Sequence, residues 1–135
     1  MPTGYSGKPL YQKLGISPGQ RICVINSPGD YHQVIDGKVA ALTLTDSTRG
    51  KADMAHIFET KAKALAKKLP ALMKMIAPDG AIWVSWPKKA AKMDTDITED
   101  VIRDVALPLG LVDVKVCAVN DIWSGLKLVI RRERR

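Results

Sequence analysis

Arg21-Ile22-Cys23-Val24-Ile25-Asn26 is apolar without a break from Ile22 to Ile25 and rich in β-branched side chains, with no alternating polar residue to mark a wet face. A run of this kind fits a strand covered on both sides, and such strands belong to parallel sheets packed between helices. It ends at Ser27-Pro28-Gly29-Asp30, a turn sequence. Two further runs share its character: 54–58, apolar except for His56, and Ala81-Ile82-Trp83-Val84-Ser85-Trp86, framed by the turn Ala77-Pro78-Asp79-Gly80 and by Pro87. Residues 39–44 form a less regular candidate strand. The expectation is that 22–25, 54–58 and 82–84 are adjacent and parallel.

Helical segments separate these strands. Pro9 suits the first turn of a short helix over 9–14 and Gly15 suits its end. Thr60 is the expected cap of a helix in which Leu65, Leu69, Leu72, Met73 and Ile76 recur at helical spacing, and Pro70 within it predicts a kink or a restart as two short helices. Thr98, with Asp94 and Asp96 as further capping candidates, opens a helix carrying Val101, Ile102, Val105 and Ala106, which ends before Pro108 and Gly110. Residues 112–119 and 126–130, around a turn at Asn120-Asp121, read as an antiparallel hairpin. The alternation predicts right-handed crossovers and a single three-layer α/β domain over 1–135, its sheet mostly parallel with a C-terminal antiparallel hairpin. That order resembles, in topology, a shortened class I methyltransferase-like Rossmann arrangement.

A chain of 135 residues can bury a core without metals or disulfides. The start Met1-Pro2-Thr3-Gly4 has no secretory pattern and no run of about 18 apolar residues occurs, so a soluble cytoplasmic protein without membrane association is expected. Cys23 and Cys117 each lie in an apolar run, and both are expected to be buried, inert thiols. The net charge of +7 is concentrated in Lys61, Lys63, Lys67, Lys68 and Lys74 on one helix face and in the tail Arg131-Arg132-Glu133-Arg134-Arg135. Those two regions are the basis for a nucleic-acid reading, which is not the favoured one because no base-reading or aromatic group accompanies them.

In an open parallel sheet, ligands bind beyond the carboxyl ends of the strands. Three loops are predicted on that edge, at 27–31, 86–89 and 120–125, with the arginine tail on the opposite edge. The first loop has one glycine and a proline where a dinucleotide or S-adenosylmethionine fingerprint would have several glycines, and no acidic residue clearly completes a site, although Asp46 is near. The loop alone therefore predicts no S-adenosylmethionine binding, and the cofactor is left unknown. Ser27 lacks a nucleophile-elbow setting. His32 and His56 have no ligand cluster around them, and a satisfied structural histidine is the better reading of His56. Trp83 and Trp86, three apart in a strand, should face opposite sides. Trp123 is either a cap over the core edge or part of a pocket rim.

Gly4-Tyr5-Ser6-Gly7, Leu14-Gly15-Ile16, Pro18-Gly19-Gln20, Ile82-Trp83-Val84, Trp86-Pro87-Lys88-Lys89, Thr98-Glu99-Asp100-Val101-Ile102-Arg103 and Trp123-Ser124-Gly125-Leu126 resemble small bacterial proteins of the domain-of-unknown-function family numbered three-zero-five-two. The likeness covers nearly the whole chain and is most specific at the Trp-Pro-Lys and Trp-Ser-Gly segments. It implies a compact α/β fold and brings no catalytic residue. The site expected from these segments is Lys88, Trp123 and Ser124, with Ser27 and Tyr5 as weaker candidates, holding a small anionic ligand or a protein partner in a non-catalytic binding or regulatory domain. Two alternatives stand beside it: these residues lock hairpin to sheet, or the chain is an enzyme of methyltransferase-like shape.

Overall fold

The three apolar runs are neighbouring parallel strands. The computed structural model describes residues 7–135, with strands β1 (Arg21–Ile25), β2 (Thr43–Thr45), β3 (Met54–Phe58), β4 (Ala81–Pro87), β5 (Leu111–Ala118) and β6 (Trp123–Ile130). They form one sheet in the order β2-β1-β3-β4-β6-β5. The first four are mutually parallel, with Val24 opposite His56 and Ile57 opposite Val84, while β6 runs back antiparallel to both β4 and β5.

Alternation along the central strands sends successive side chains into two separate cores, which makes the fold three-layered. Cys23, Ile25, Ala55, Ile57, Ile82 and Val84 face the helices α3 (Ala62–Met75) and α4 (Glu99–Ala106), meeting Leu65, Leu69, Leu72, Ile102 and Ala106. Ile22, Val24, Met54, Phe58 and Trp83 face the other way, toward α1 (Leu10–Leu14) and α2 (Tyr31–Val34). Trp83 and Trp86 accordingly lie on opposite faces.

Pro70 neither splits nor restarts its helix: α3 is continuous from Ala62 to Met75. Proline removes one backbone donor, but Leu65 and Leu69 before it and Leu72 and Met75 after it are all buried, so packing on both sides holds the axis together. Thr60 is not the cap of that helix, because the first residue outside it is Lys61, with no side-chain cap of its own. The role falls to Asp96, whose Oδ1 accepts from the Ala62 amide at 2.7 Å from the loop that leads into α4, while Thr98 caps α4 through the Val101 amide at 3.2 Å. A carboxylate there also meets the positive end of the helix dipole. Asp96→Ala should therefore cost about 1 kcal/mol in urea denaturation, and an unchanged midpoint would show that this loop does not support α3.

The second strand is three residues, Thr43–Thr45, instead of 39–44, and the loop after β1 contains the four-residue helix α2, begun by Asp30. The final strand starts at Trp123, so Trp123, Ser124 and Gly125 belong to β6 and not to the hairpin turn. Cys23 is buried as expected, but Cys117 is only half-buried, since β5 is an edge strand. Burial raises both thiol pKa values. A bulky thiol reagent should label native Cys117 slowly and Cys23 only on unfolding; equal rates would contradict this placement.

Candidate functional site

The chain leaves β1 toward β2 on one side, while β3 lies on its other side. This reversal is where an open α/β sheet forms a crevice at its carboxyl edge. A cleft of about 480 Å³ lies there, lined by Val24, Asn26, Ser27, Tyr31, Leu44, Thr45 and Asp46. Another, of about 460 Å³, lies at the amino ends of the strands between Arg21, Lys51 and Met75 to Pro78, on the edge that such sheets do not use for ligands.

The loop that closes β1 is built to hold one shape. Asn26 takes a left-handed φ of 59°, and its Nδ2 donates to the Phe58 carbonyl at 3.2 Å and to Glu59 Oε2 at 3.3 Å, fastening the turn to β3. Ser27 Oγ donates to the Gly29 carbonyl at 2.7 Å, so that hydroxyl is engaged within the turn. Asp30 Oδ1 accepts from the His32 amide at 3.1 Å and starts α2. Among the described residues, no atom beyond its two chain neighbours lies within 4 Å of where a Cβ on Gly29 would sit, which leaves that backbone open to approach. Across the cleft, Asp46 follows β2 directly, is exposed, and forms no hydrogen bond or ion pair with the described residues. Its charge raises the Cys23 thiol pKa further, after the larger effect of burial.

Behind the cleft runs a buried polar chain. Tyr31 Oη lies 2.7 Å from His56 Nδ1, and His56 Nε2 lies 2.7 Å from Ser85 Oγ. His56 and Ser85 are fully buried. His56 stacks on Phe58 with ring centres 4.2 Å apart, and Phe58 meets Trp123 edge-on at 5.4 Å. Burial lowers the His56 pKa from 6.5 to about 3, so the ring is neutral, and burial raises the Tyr31 pKa. Nothing local in the sequence couples positions 31, 56 and 85; the only sign was a histidine in an otherwise apolar strand.

The sequence-derived candidates separate into two groups along this edge. Ser27 is on the cleft. Lys88, Trp123 and Ser124 come together at the ends of β4 and β6, where Trp86 pairs with Ser124, Pro87 with Trp123, and the Lys88 amide donates to the Ile122 carbonyl at 2.7 Å. Asn120 Oδ1 accepts from the amides of both Ile122 and Trp123 at 2.9 Å, shaping the hairpin turn. Trp123 is 8% exposed, with its ring against Phe58. Tyr5 lies outside the described residues, as does the Gly4-Tyr5-Ser6 part of its segment. The lysines of α3 are all exposed, and the tail leaves from the edge opposite the cleft, with the Arg131 amide bonded to the Gly110 carbonyl at 2.9 Å.

No protein-family model and no curated protein sequence matches the chain. Solved structures do. A SAM dependent methyltransferase from Aquifex aeolicus superimposes with a TM-score of 0.62 at 14% identity, covering 89% of this chain and 87% of that one. The ribosomal protein L11 methylase from Lactobacillus delbrueckii subsp. bulgaricus gives 0.60 at 11% identity, covering 90% and 74%. Magnesium protoporphyrin IX methyltransferase from Synechocystis PCC 6803, solved with bound SAM, gives 0.56 at 12% identity, covering 86% and 72%. At such identities it is the fold that is shared. The chain has the Rossmann-like α/β architecture of S-adenosylmethionine-dependent methyltransferases, with antiparallel strands at its C-terminal end.

Proposed function

We propose that the cleft at the carboxyl ends of β1 and β2 binds a ligand of the S-adenosylmethionine class, and that the chain is an enzyme of methyltransferase-like shape. The observation that carries this reading is Asp46, an exposed carboxylate without a partner among the described residues, on the rim of a cleft at the sheet's switch point. Such a carboxylate accepts two hydrogen bonds at once and matches the vicinal hydroxyls of a ribose. Val24, Leu44 and the Tyr31 ring supply apolar wall for a base. The single glycine of the loop, Gly29, has the open space that close backbone approach requires. The donor set thus fits the nucleoside half of the ligand, despite a loop that lacks the usual run of glycines. When bound, S-adenosylmethionine supplies an electrophilic methyl group; Asp46 and the loop 26–30 would hold and orient it.

Lys88, Trp123 and Ser124 we assign to bracing the hairpin against β4, and the likeness to the bacterial family numbered three-zero-five-two belongs to this proposal, since its two most specific segments are paired across β4 and β6. Calorimetry with S-adenosylmethionine and S-adenosylhomocysteine tests the site. Saturable binding is expected, weakened about tenfold or more by Asp46→Ala, as for a lost hydrogen bond to a charged group. No saturable heat at millimolar ligand, or an unchanged affinity in the variant, would refute it.

A further inference from the structure

The buried chain Tyr31–His56–Ser85 contains a proton count that can be closed in two ways, which differ in the hydroxyl that keeps a spare proton. Two hydroxyls carry one proton each and a neutral imidazole carries one, which makes three protons for two hydrogen bonds. One hydroxyl proton is therefore left over, at one end of the chain. If His56 were protonated on Nε2, it would donate to Ser85, Tyr31 would donate to Nδ1, and the Ser85 proton would be left over. Ser85 is fully buried and its hydroxyl has no second partner among the described residues, and an unsatisfied donor in that position is costly. If His56 is protonated on Nδ1, Ser85 donates to Nε2, the ring donates to Tyr31 Oη, and the spare proton belongs to Tyr31. Tyr31 is buried too, at 4% exposure, but it is the one member of the chain that lines the cleft, where a ligand can accept that proton.

We propose that His56 is held as the Nδ1–H tautomer, leaving the Tyr31 hydroxyl as a hydrogen-bond donor to an acceptor atom of a ligand in the β1–β2 cleft. The inference rests on the cleft being the ligand site. Accepting a hydrogen bond from His56 polarises the Tyr31 hydroxyl and makes it a better donor. Ser85, which never meets the ligand, becomes a positioning residue that fixes the tautomer from the far side of the ring. Asp46 then asks the ligand for donors and Tyr31 asks it for an acceptor. Together they select molecules that present both, as a ribosyl or purine edge does, over simple anions, which present only acceptors to Asp46.

The test has two arms. Long-range proton–nitrogen NMR of the whole protein without ligand reads the tautomer directly, and should show His56 protonated at Nδ1; protonation at Nε2 would overturn the proposal. Tyr31→Phe should raise the dissociation constant of S-adenosylhomocysteine about five- to tenfold, as for one neutral hydrogen bond, with the far-UV spectrum unchanged. An unaltered affinity would also overturn it. If the wild-type protein binds neither S-adenosylmethionine nor S-adenosylhomocysteine, the cleft reading fails by itself, whereas the ring protonation still decides which hydroxyl holds the spare proton.

Discussion

Trp83→Ala should destabilise the fold by about 3–5 kcal/mol in urea denaturation, the largest loss expected from any single truncation in the sheet. The indole is fully buried in the middle of β4, and its Nε1 donates to the Leu14 carbonyl at 3.0 Å, tying α1 to the sheet. Its edge lies 3.3 Å from where a Cβ on Gly125 would be, so β6 carries a glycine where this ring needs the space. Lys115 Nζ sits over the ring, 5.9 Å from its centre. Truncation removes the packing and strands the Leu14 carbonyl without its donor. Trp83→Phe keeps most of the volume and loses the N–H, and should cost about 1–3 kcal/mol for that unsatisfied acceptor. A loss below about 1 kcal/mol for Trp83→Ala would mean that α1 is held by other contacts.

Acid should unfold this protein through His56. The native ring takes up its second proton only near pH 3, while an unfolded histidine takes it up below about pH 6.5. Between those values the unfolded chain binds one proton more, so stability falls as pH falls, by at most about 1.4 kcal/mol per pH unit. From pH 6.5 to 4.5 this group alone should remove about 2–3 kcal/mol. Carboxylates add their own acid loss; Asp113, held below the usual range by its hydrogen bond from Arg103, is one of them. They do so in wild type and variant alike, so the difference against His56→Gln isolates the histidine. A variant whose stability falls with acid as steeply as wild type would show that His56 is not the group responsible.

The sheet was legible because β1, β3 and β4 each declare burial on both faces within four or five consecutive residues. The bounds of three-residue β2 and the existence of four-residue α2 were not, because elements that short depend on what they pair with, and the strand read at 39–44 takes its true limits, Thr43 to Thr45, from lying beside Arg21 to Cys23. The same limit explains Trp123 and Ser124, whose strand conformation comes from pairing with Pro87 and Trp86. It explains Asp96 too, which caps a helix that begins 34 residues earlier. In the cleft, Asp46 was visible as a carboxylate near the end of a strand, and the glycine-poor loop argued against it. What the sequence could not show was that Asp46, Ser27 and Tyr31 share one cleft, or that Tyr31, His56 and Ser85 form one hydrogen-bonded chain.

The proposed ligand site lies between β1 and β2. Amide chemical-shift mapping during a titration with S-adenosylhomocysteine tests it residue by residue. The largest saturating shifts should fall on Val24 to Tyr31 and Leu44 to Asp46, with little change at Lys88, Trp123 and Ser124 or along the α3 lysines. Shifts centred on the β4–β6 corner or on α3, or none at millimolar ligand, would rule this site out.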